Sequence, residues 1–378
     1  MAGTATGLGK SRRPKARDVV SRKGFLRRWA KRFLRGVLGW AVGGRLRLIV
    51  GGPVFFQTVR TACDLDLFGL LRRKPGLTLE QIAQELHIEE NPARILLLTC
   101  AALKLVRKVG PRYRCRIVGR LLDRNASQNL VPTLEFVHQI MYLSMFHYAE
   151  AVRENRAAGL QVFQGDEDNL YQRLAHDAHL QKVFFEGTVS RDRAVEREFL
   201  DRMGFSWFRR ILDVGGGDGT NLLAIANRHP QVQGTVFDLP SVVEQAARHI
   251  AAQGMDDRLK TLSGNVLEDE LPRGHDCILF CRFLPAFASA TNRSVMKKAY
   301  AAVEPGGMVC IYGAFTNDRE TGPLDVAILS PYVLCTATGK GRYFSWQEAS
   351  SWLREAGFVD ITRVPLIHSA GVLLAFKR

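Results

Sequence analysis

The stretch ILDVGGGDG, from Ile211 to Gly219, decides the fold of this chain. Three apolar residues and an acid lead into a glycine cluster, and apolar residues at helical spacing follow between Asn221 and Ala226. We interpret this pattern as a buried strand, a tight turn and a helix, which together open a nucleotide-binding βαβ unit. Glycines permit the positive φ of such a turn and let a ligand approach the backbone closely.

The spacing of the glycines argues against a dinucleotide. A dinucleotide fingerprint requires G-x-G-x-x-G, but Thr220 stands where the third glycine would be. The pattern from Asp213 to Gly219 is D-x-G-x-G-x-G, and the next predicted strand, GTVFD, ends at Asp238. A carboxylate at that position can accept hydrogen bonds from both hydroxyls of a ribose. The glycine turn and the two acids therefore predict a nucleoside site.

Three motifs carry a resemblance to a known family. ILDVGGGDG, VFDLPSVVEQA (Val236 to Ala246) and VEPGGMVCIY (Val303 to Tyr312) resemble the class I S-adenosylmethionine (SAM) methyltransferases. More narrowly, the chain from Gly51 onward is similar to the plant and bacterial O-methyltransferase family of the caffeate and hydroxyneurosporene type. The resemblance implies an α/β fold, with a Rossmann-like methyltransferase sheet and an N-terminal helical winged-helix dimerisation domain. It also implies SAM as the cofactor and a homodimer.

Within that family, the bacteriochlorophyll C-20 methyltransferase branch is the most similar in its motifs. The shared motifs are LFCR-x-L (Leu279 to Leu284) and an acidic-Asn-Leu-Tyr run that ends at Tyr171. The residues with which that branch contacts its substrate do not match, because a tyrosine there corresponds to Pro285 here and a histidine to Pro331. We therefore expect a different substrate.

The resemblance and the strand ends together assign cofactor contacts. Gly264-Asn265-Val266 follows the third predicted strand, where the family places an acidic and an apolar residue on the adenine. Asn265 replaces the acid, and its amide oxygen can still accept a hydrogen bond from the adenine amine. The predicted cofactor-binding residues are Asp213, Gly215, Gly217, Asp238, Leu239, Asn265, Val266 and Cys281.

The general base of the family does not carry over to this chain. The family's His-Asp-Trp run corresponds to Pro285, Ala286 and Phe287, and the acid after the fifth strand is missing from IYGAFTND. The catalytic residue is therefore unknown. His138 and His147 are the nearby titratable groups, although each is more often a packing histidine than a catalyst. We expect methylation of carbon or oxygen by positioning and desolvation, on an acceptor that is already electron-rich.

Two other functions stay open at this stage. A SAM-binding relative that has lost methyl transfer and performs other chemistry would also lack the base. A winged-helix regulator that senses SAM would bind DNA through its third helix, predicted over Asn91 to Leu105. That helix has only Arg94 and Lys104 among apolar residues, whereas a recognition helix needs a polar face. We therefore predict that it is buried and that nucleic acid is not a partner.

The composition predicts two domains and an extension. The 378 residues are 46% apolar, enough for a large core. No apolar run approaches the length of a membrane span, and the longest, LIVGGPVFF from Leu48, lacks the cleavage pattern of a secretory signal. The seven cysteines contain no C-x-x-C pair, which predicts reduced core thiols in a cytoplasmic protein and no metal site. We predict an extension (1–50), a winged-helix dimerisation domain (51–130), a helical linker and substrate-pocket region (131–205) and a SAM-binding domain (206–378).

The positive charge is concentrated at the N-terminus. Residues 1–50 contain 14 Lys or Arg and one acid, so they account for +13 of the net charge of +16. We predict that residues 1–20 are disordered and that residues 25–38 form a basic amphipathic helix. Such a helix suits an anionic membrane surface. Packing of its apolar face on the protein's own body or on a partner subunit explains the pattern equally well. An organellar transit peptide is a third interpretation.

The helical region before the methyltransferase domain predicts the substrate pocket. FVHQIMYLSMFHY, from Phe136 to Tyr148, is rich in aromatic residues and Met, which adapt to apolar ligands. The alternative for any one of these side chains is plain helix core. The resemblance places this helix along the substrate cavity and implies a hydrophobic small-molecule substrate. The predicted pocket residues are Met141, Tyr142, Met145, Phe146 and Phe287.

Overall fold

The computed structural model describes the backbone of residues 22–378 and the side chains of residues 43–190 and 194–378. A first compact unit ends at Arg120, and a second begins at Leu121. The segment 1–20, which was predicted to be disordered, lies outside the described residues. The division into four segments at residues 50, 130 and 205 stays a prediction.

The first unit contains five helices and a two-stranded hairpin in its described part. The elements are α1 (Arg22–Asp64), α2 (Leu67–Arg73), α3 (Leu79–Glu85), α4 (Glu90–Ala102), β1 (Val106–Val109), β2 (Arg112–Cys115) and α5 (Ile117–Arg120). Strands β1 and β2 pair antiparallel, which confirms the predicted wing. Helix α3 begins with a capping box, since Thr78 Oγ1 accepts from Gln81 N and Gln81 Oε1 accepts from Thr78 N.

The stretch from Val54 to Leu71 is not a single helix, because it contains the end of α1 and the start of α2. Helix α1 already includes residues 25–38, whose backbone is helical as predicted but whose side chains lie outside those described. The chain then breaks between α1 and α2, where Asp66 adopts a left-handed φ of 55°. Aspartate tolerates this conformation better than most residues. Its Oδ2 accepts a hydrogen bond from Arg73 Nη2 at 2.7 Å. The break lets Leu67 turn into the core.

The prediction that α4 is buried is correct for one face of this helix and wrong for the other. Ala93 and Leu97 are fully buried, but Ile95 is 58% exposed and Leu98 is 69% exposed in the single chain. Sequence alone indicated an apolar helix without a polar face. It did not show that this helix has more apolar surface than its own unit covers.

The second unit begins with a helical region, as predicted for residues 131–205. Its α-helices are α6 (Val131–Phe136), α7 (Tyr148–Glu154), α8 (Leu170–Arg173) and α9 (Ala178–Arg202). A π-helical segment, Val137–Tyr142, continues α6, and short 3₁₀ turns lie at Met145–His147, Ala158–Val162, Leu174–His176 and Phe205–Trp207. Single-turn π-helices are often found at functional sites.

The rest of the second unit forms a seven-stranded sheet covered by helices. The strands are β3 (Arg210–Val214), β4 (Gln233–Asp238), β5 (Leu259–Ser263), β6 (His275–Cys281), β7 (Val303–Ala314), β8 (Val359–Pro365) and β9 (Ala370–Phe376). The helices are α10 (Thr220–Arg228), α11 (Pro240–Ala252), α12 (Ser289–Ala302), α13 (Leu324–Tyr332) and α14 (Trp346–Ala356); a 3₁₀ turn (Leu284–Ala286) and a π-helix (Val333–Ala337) complete it.

The strand order is β5-β4-β3-β6-β7-β9-β8, with β9 antiparallel to both of its neighbours. The chain leaves β3 toward β4 on one side, and β6 later pairs with β3 on the other side. This reversal creates a crevice at the carboxyl end of β3, where open α/β sheets bind ligands. The predicted Rossmann-like sheet is confirmed.

Both faces of the sheet are buried. Alternate residues of β6 point to opposite sides, with Ile278 and Phe280 in one core cluster and Cys277 and Leu279 in the other. Strands buried on both faces have nearly continuous apolar sequences, which explains why CILFC was predictable as a strand. In the described residues, no helix has the length and apolar character that crossing a bilayer requires.

Candidate active site

The turn after β3 has three positions that only glycine occupies without strain. Gly215, Gly217 and Gly219 have positive φ values of 67°, 60° and 79°. The ring of Phe283 packs on Gly215 so closely that a Cβ there would be 2.0 Å from a ring carbon. A Cβ on Gly217 would meet no atom within 4 Å, so the turn is open at this residue. The predicted glycine turn is therefore confirmed, with space for a ligand beside Gly217.

Asp238 ends β4 and holds the glycine turn. Its Oδ2 accepts a hydrogen bond from Gly217 N at 2.9 Å, and its Oδ1 accepts from Leu239 N at 2.7 Å. Burial raises the pKa of Asp238, and these two backbone N–H groups act in the opposite direction. Each carboxylate oxygen retains a lone pair beyond these bonds. A pair of ribose hydroxyls beside Gly217 would find both acceptors already oriented.

Asp213 is buried in the strand before the turn. Its side chain is fully buried, and neither carboxylate oxygen has a hydrogen-bond partner among the described residues. Burial, followed by the charge of Asp238, raises the pKa of Asp213 to about 7. A Cβ on Gly216 would be 2.8 Å from Oδ2, so this carboxylate also requires glycine beside it. A buried acid without a partner indicates a place for a donor or a cation supplied by a ligand.

The predicted adenine end of the site follows β5. Gly264 N donates to Asp238 O at 2.9 Å, which places Asn265 and Val266 beside the end of β4. The amide oxygen of Asn265 accepts from Leu267 N at 3.1 Å, so one of its two acceptor sites is already used within the loop. Lys298 Nζ donates to Val266 O at 3.0 Å and ties this loop to α12.

These features fit the cofactor that the resemblance implies. Asp238 offers two acceptors to a ribose, Gly217 leaves the backbone open, and Asp213 offers a buried carboxylate without a partner. SAM has a ribose, a sulfonium and an ammonium group, and so it suits this set of groups. In the described residues, no group of three or more His, Cys, Asp or Glu could hold a metal ion.

The turn after β6 contains no base. Pro285 is buried in a 3₁₀ turn, and Ala286 follows it. Cys281 is the last residue of β6, and burial raises the pKa of its thiol well above the ordinary value, so it stays protonated. Thr338 Oγ1 donates to Ala286 O at 2.6 Å, and Asn292 Nδ2 donates to Leu284 O at 3.0 Å. The turn is therefore held rigidly, with no side chain in it that can accept a proton at neutral pH.

Replacing Asn292 by alanine should destabilise this turn. Asn292 is 1% exposed, and its amide also reaches Phe287 O at 3.4 Å. Losing the donor for two carbonyl groups should lower the free energy of unfolding by about 2 kcal/mol. Urea unfolding measures this change, and Ser294→Ala on the exposed face of the same helix is the control. A loss no greater than that of the control would contradict the role of Asn292.

Neither candidate histidine lies beside the glycine turn in the sequence. His147 Nδ1 is 2.8 Å from Gln161 Nε2 and 3.7 Å from a carboxylate oxygen of Glu150. The ring of His138 is 6.4 Å from that of Tyr142, at a tilt. Neither histidine is thereby assigned as the base, and the catalytic residue remains unassigned.

A cavity of about 610 Å³ lies in the second unit, near the carboxyl ends of β6 and β7. Its lining includes Ala288 after the β6 turn, Thr316 after β7, and Pro331 in α13. Ligand pockets typically have about 300–1,000 Å³. The cavity is therefore of a size for a small-molecule acceptor.

The five predicted pocket residues are not among those that line the cavity. Met145 packs against the same small buried cluster as the wall residues Tyr148 and Leu334, and Phe287 immediately precedes the wall residue Ala288. Met141 is buried in a neighbouring apolar cluster, and its neighbours Tyr142 and Phe146 have rings 6.3 Å apart. Phe146 is itself 76% exposed. Their role in substrate binding stays a prediction.

Sequence reasoning did not identify two polar residues of the wall. Thr316 has a buried hydroxyl without a partner in the described part of the chain, and Lys340 also lines the cavity. Both belong to irregular segments, one after β7 and one after the second π-helix. No spacing or periodicity in the sequence connects these segments, so no signal there could have brought them together.

Comparison with known proteins gives consistent findings. Residues 146–359 match the O-methyltransferase domain, and residues 48–125 match the O-methyltransferase dimerisation domain. The chain is 30% identical to the L-tyrosine C(3)-methyltransferase of Streptomyces lavendulae over 314 residues, covering 83% of this chain and 86% of the relative. It is 31% identical to the 3-hydroxy-5-methyl-1-naphthoate 3-O-methyltransferase of Streptomyces sahachiroi over 316 residues, covering 82% and 87%.

A solved structure shows the same fold. The S-adenosylmethionine-dependent methyltransferase SibL in its apo form superposes with a TM-score of 0.78 at 34% sequence identity. The superposition covers 88% of this chain and 98% of SibL.

Proposed function

This chain belongs to the O-methyltransferase family, and on that premise we propose that it methylates a hydrophobic, hydroxylated aromatic small molecule without a histidine base. The family membership makes it a SAM-dependent methyltransferase of small-molecule natural products. The observation that carries the finer proposal is the rigid turn at Pro285, which contains no proton acceptor.

The chain's own residues bind and orient the reactants. When bound, SAM would supply an electrophilic methyl group to the acceptor, whose proton would leave to solvent, with SAH as the other product. Asp238 would hold the ribose, and the buried carboxylate of Asp213 would face a cationic group of the cofactor. Phe283, which packs on Gly215, forms the wall between this site and the β6 turn.

Without a base, the acceptor itself must be a good nucleophile. Orientation of two reactants can remove about 7–11 kcal/mol of a barrier, and desolvation strengthens an electron-rich oxygen or ring carbon. A phenol fits this requirement, because it ionises readily and is nucleophilic both at oxygen and at the neighbouring ring carbons. L-tyrosine and 3-hydroxy-5-methyl-1-naphthoate, the substrates in the names of the two relatives, are both hydroxylated aromatic compounds. Carbon and oxygen both stay open as the methylated atom.

The same absence of a base also favours a second candidate, a SAM-binding protein that has lost methyl transfer. Labelled SAM separates the two. The purified protein is incubated with methyl-labelled SAM and an extract of apolar host metabolites, and transfer of label to an aromatic product supports methylation. Binding of SAM with no transfer to any component would favour the second candidate.

The first unit supports self-association. Because residues 48–125 match the dimerisation domain, we expect a homodimer. Its exposed apolar side chains in the single chain include Ile95 and Leu98 on α4 and Val118 on α5. Covering these side chains by a second copy would remove them from water. Light scattering of the full chain measures the assembly.

We also propose that the N-terminal helix binds an anionic membrane surface at the cytoplasmic side. Its basic residues between 25 and 38 are Arg27, Arg28, Lys31, Arg32 and Arg35. Replacing all five by Gln in the full chain should weaken binding to phosphatidylserine vesicles by at least about 100-fold, since each charge contributes about 1 kcal/mol. Affinity for S-adenosylhomocysteine (SAH) should not change. Equal binding of both proteins to these vesicles would exclude the membrane role.

A further inference from the structure

The loop after β5 begins beside the residue assigned to the ribose. Gly264 N donates to Asp238 O at 2.9 Å, so the loop starts next to the end of β4. The glycine turn, Asp238 and this loop follow β3, β4 and β5, which are adjacent in the sheet in that order. Because the base of a nucleoside is attached to its ribose, a ribose held at Asp238 brings its base to this loop. We call residues 265–269 the base loop.

The base loop is folded around Asn265. The carbonyl oxygen of Asn265 accepts from Glu268 N at 2.9 Å and from Asp269 N at 2.7 Å. Its backbone N donates to Asp269 Oδ2 at 2.7 Å, and its Oδ1 accepts from Leu267 N at 3.1 Å. This last bond orients the side-chain amide and leaves its oxygen one lone pair for a donor on the ligand. The direction of that lone pair therefore depends on the conformation of the loop.

Lys298 on α12 ties the base loop to this helix. Its Nζ donates to Val266 O at 3.0 Å and to Asp269 O at 2.8 Å, with a longer contact to Leu267 O at 3.4 Å. A lysine ammonium has three N–H donors, so its donors all serve this one loop. The side chain of Val266 also lies in the same buried cluster as Val295, which is three residues before Lys298 on α12. One cation thus fixes both ends of the loop.

We propose that Lys298 is a positioning residue that makes the cofactor site selective for adenine. It holds the base loop so that the amide oxygen of Asn265 accepts a hydrogen bond from the adenine amine. Without Lys298 the loop carbonyls turn to water and the amide oxygen loses its fixed direction, while Asp238 still holds the ribose. This inference rests on the proposed function, because it explains how the same methyltransferase site recognises its cofactor.

Two ligands that differ only in the base test this proposal. S-inosylhomocysteine has a carbonyl oxygen where SAH has the adenine amine, so it presents an acceptor to the acceptor oxygen of Asn265. Calorimetry on the full chain should show that the wild-type protein prefers SAH by at least about tenfold. Lys298→Met should weaken binding of SAH by about tenfold and change binding of S-inosylhomocysteine little, so that the preference is lost.

Arg258 provides a matched control, because it has a similar role at the opposite edge of the sheet. Its guanidinium donates to Pro230 O at 3.1 Å and to Val232 O at 3.0 Å, in the loop that precedes β4. Arg258→Met removes comparable bonds to backbone carbonyls, so it should lower the free energy of unfolding but leave the preference for SAH unchanged. A purely structural role of Lys298 predicts the same result for Lys298→Met.

Lys297→Met, at an exposed position of the same helix, should leave both affinities unchanged. Urea unfolding shows whether each variant is folded during the measurement, and Lys298→Gln replaces Lys298→Met if the latter is unfolded. The proposal is overturned if the wild-type protein binds the two ligands equally, if the Lys298 variant retains the preference, or if Arg258→Met loses it as well. Failure of the wild-type protein to bind SAH would instead overturn the proposed function, so the two failures are distinguishable.

Discussion

Replacing Asp238 by alanine is expected to weaken binding of SAH by at least about 100-fold, because two charge-assisted hydrogen bonds to the ribose contribute about 1.5–3 kcal/mol each. The substitution also removes the acceptor for Gly217 N and Leu239 N, so the turn that faces the ligand loses its support. Asp238→Asn should also bind poorly, since an amide nitrogen would face one of these N–H donors. Calorimetry with SAH measures the affinity.

Two controls make the result on Asp238 interpretable. Asp257→Ala changes an exposed acid in the turn before β5 and should bind SAH like the wild type. Urea unfolding shows whether Asp238→Ala remains folded at the temperature of the binding measurement. If a folded Asp238→Ala protein binds SAH with unchanged affinity, the assignment of this carboxylate to the ribose is wrong.

Most of the methyltransferase sheet was predictable, because its signals are local. CILFC is apolar at every position, so it predicts a strand buried on both faces, and Asp213 and Asp238 could be placed from the strands that they end. The family assignment followed from the same motifs and is confirmed by the match over residues 146–359. The bacteriochlorophyll branch was inferred from short shared runs, which do not decide between branches.

The features that could not be predicted from the sequence depend on contacts between distant segments. The break at Asp66 interrupts a stretch that is apolar on both sides, and it lets the chain turn so that Leu67 is buried. Lys340 and Thr316 belong to two irregular segments that are far apart in the sequence, yet both line the same cavity. The exposure of Ile95 is a property of one chain without its partner, and an apolar sequence pattern does not distinguish a core from an interface.

Asp213 links binding to stability, and its replacement by asparagine should stabilise the free protein at pH 8. The pKa of Asp213 is raised from 3.8 to about 7 by burial. The unfolded chain therefore releases this proton at lower pH than the folded chain does. Between these pKa values the folded state binds more protons, so its stability falls as pH rises and is lowest above pH 7. Between low and high pH, this shift lowers the free energy of unfolding by about 4 kcal/mol at most.

The comparison of two pH values provides an internal control for Asp213→Asn. At pH 4 or below the native carboxyl group is neutral, so the substitution should change the free energy of unfolding little. At pH 8 the substitution should raise the free energy of unfolding by several kcal/mol. The same variant should lose SAH affinity by about 100-fold, because an amide cannot neutralise the ammonium of the ligand. Wild-type affinity should rise with pH through 7 as the carboxylate ionises. Urea unfolding without ligand measures the stability, and calorimetry with SAH measures the affinity. If Asp213→Asn is no more stable than the wild type at pH 8, the buried carboxylate of Asp213 does not destabilise the folded protein.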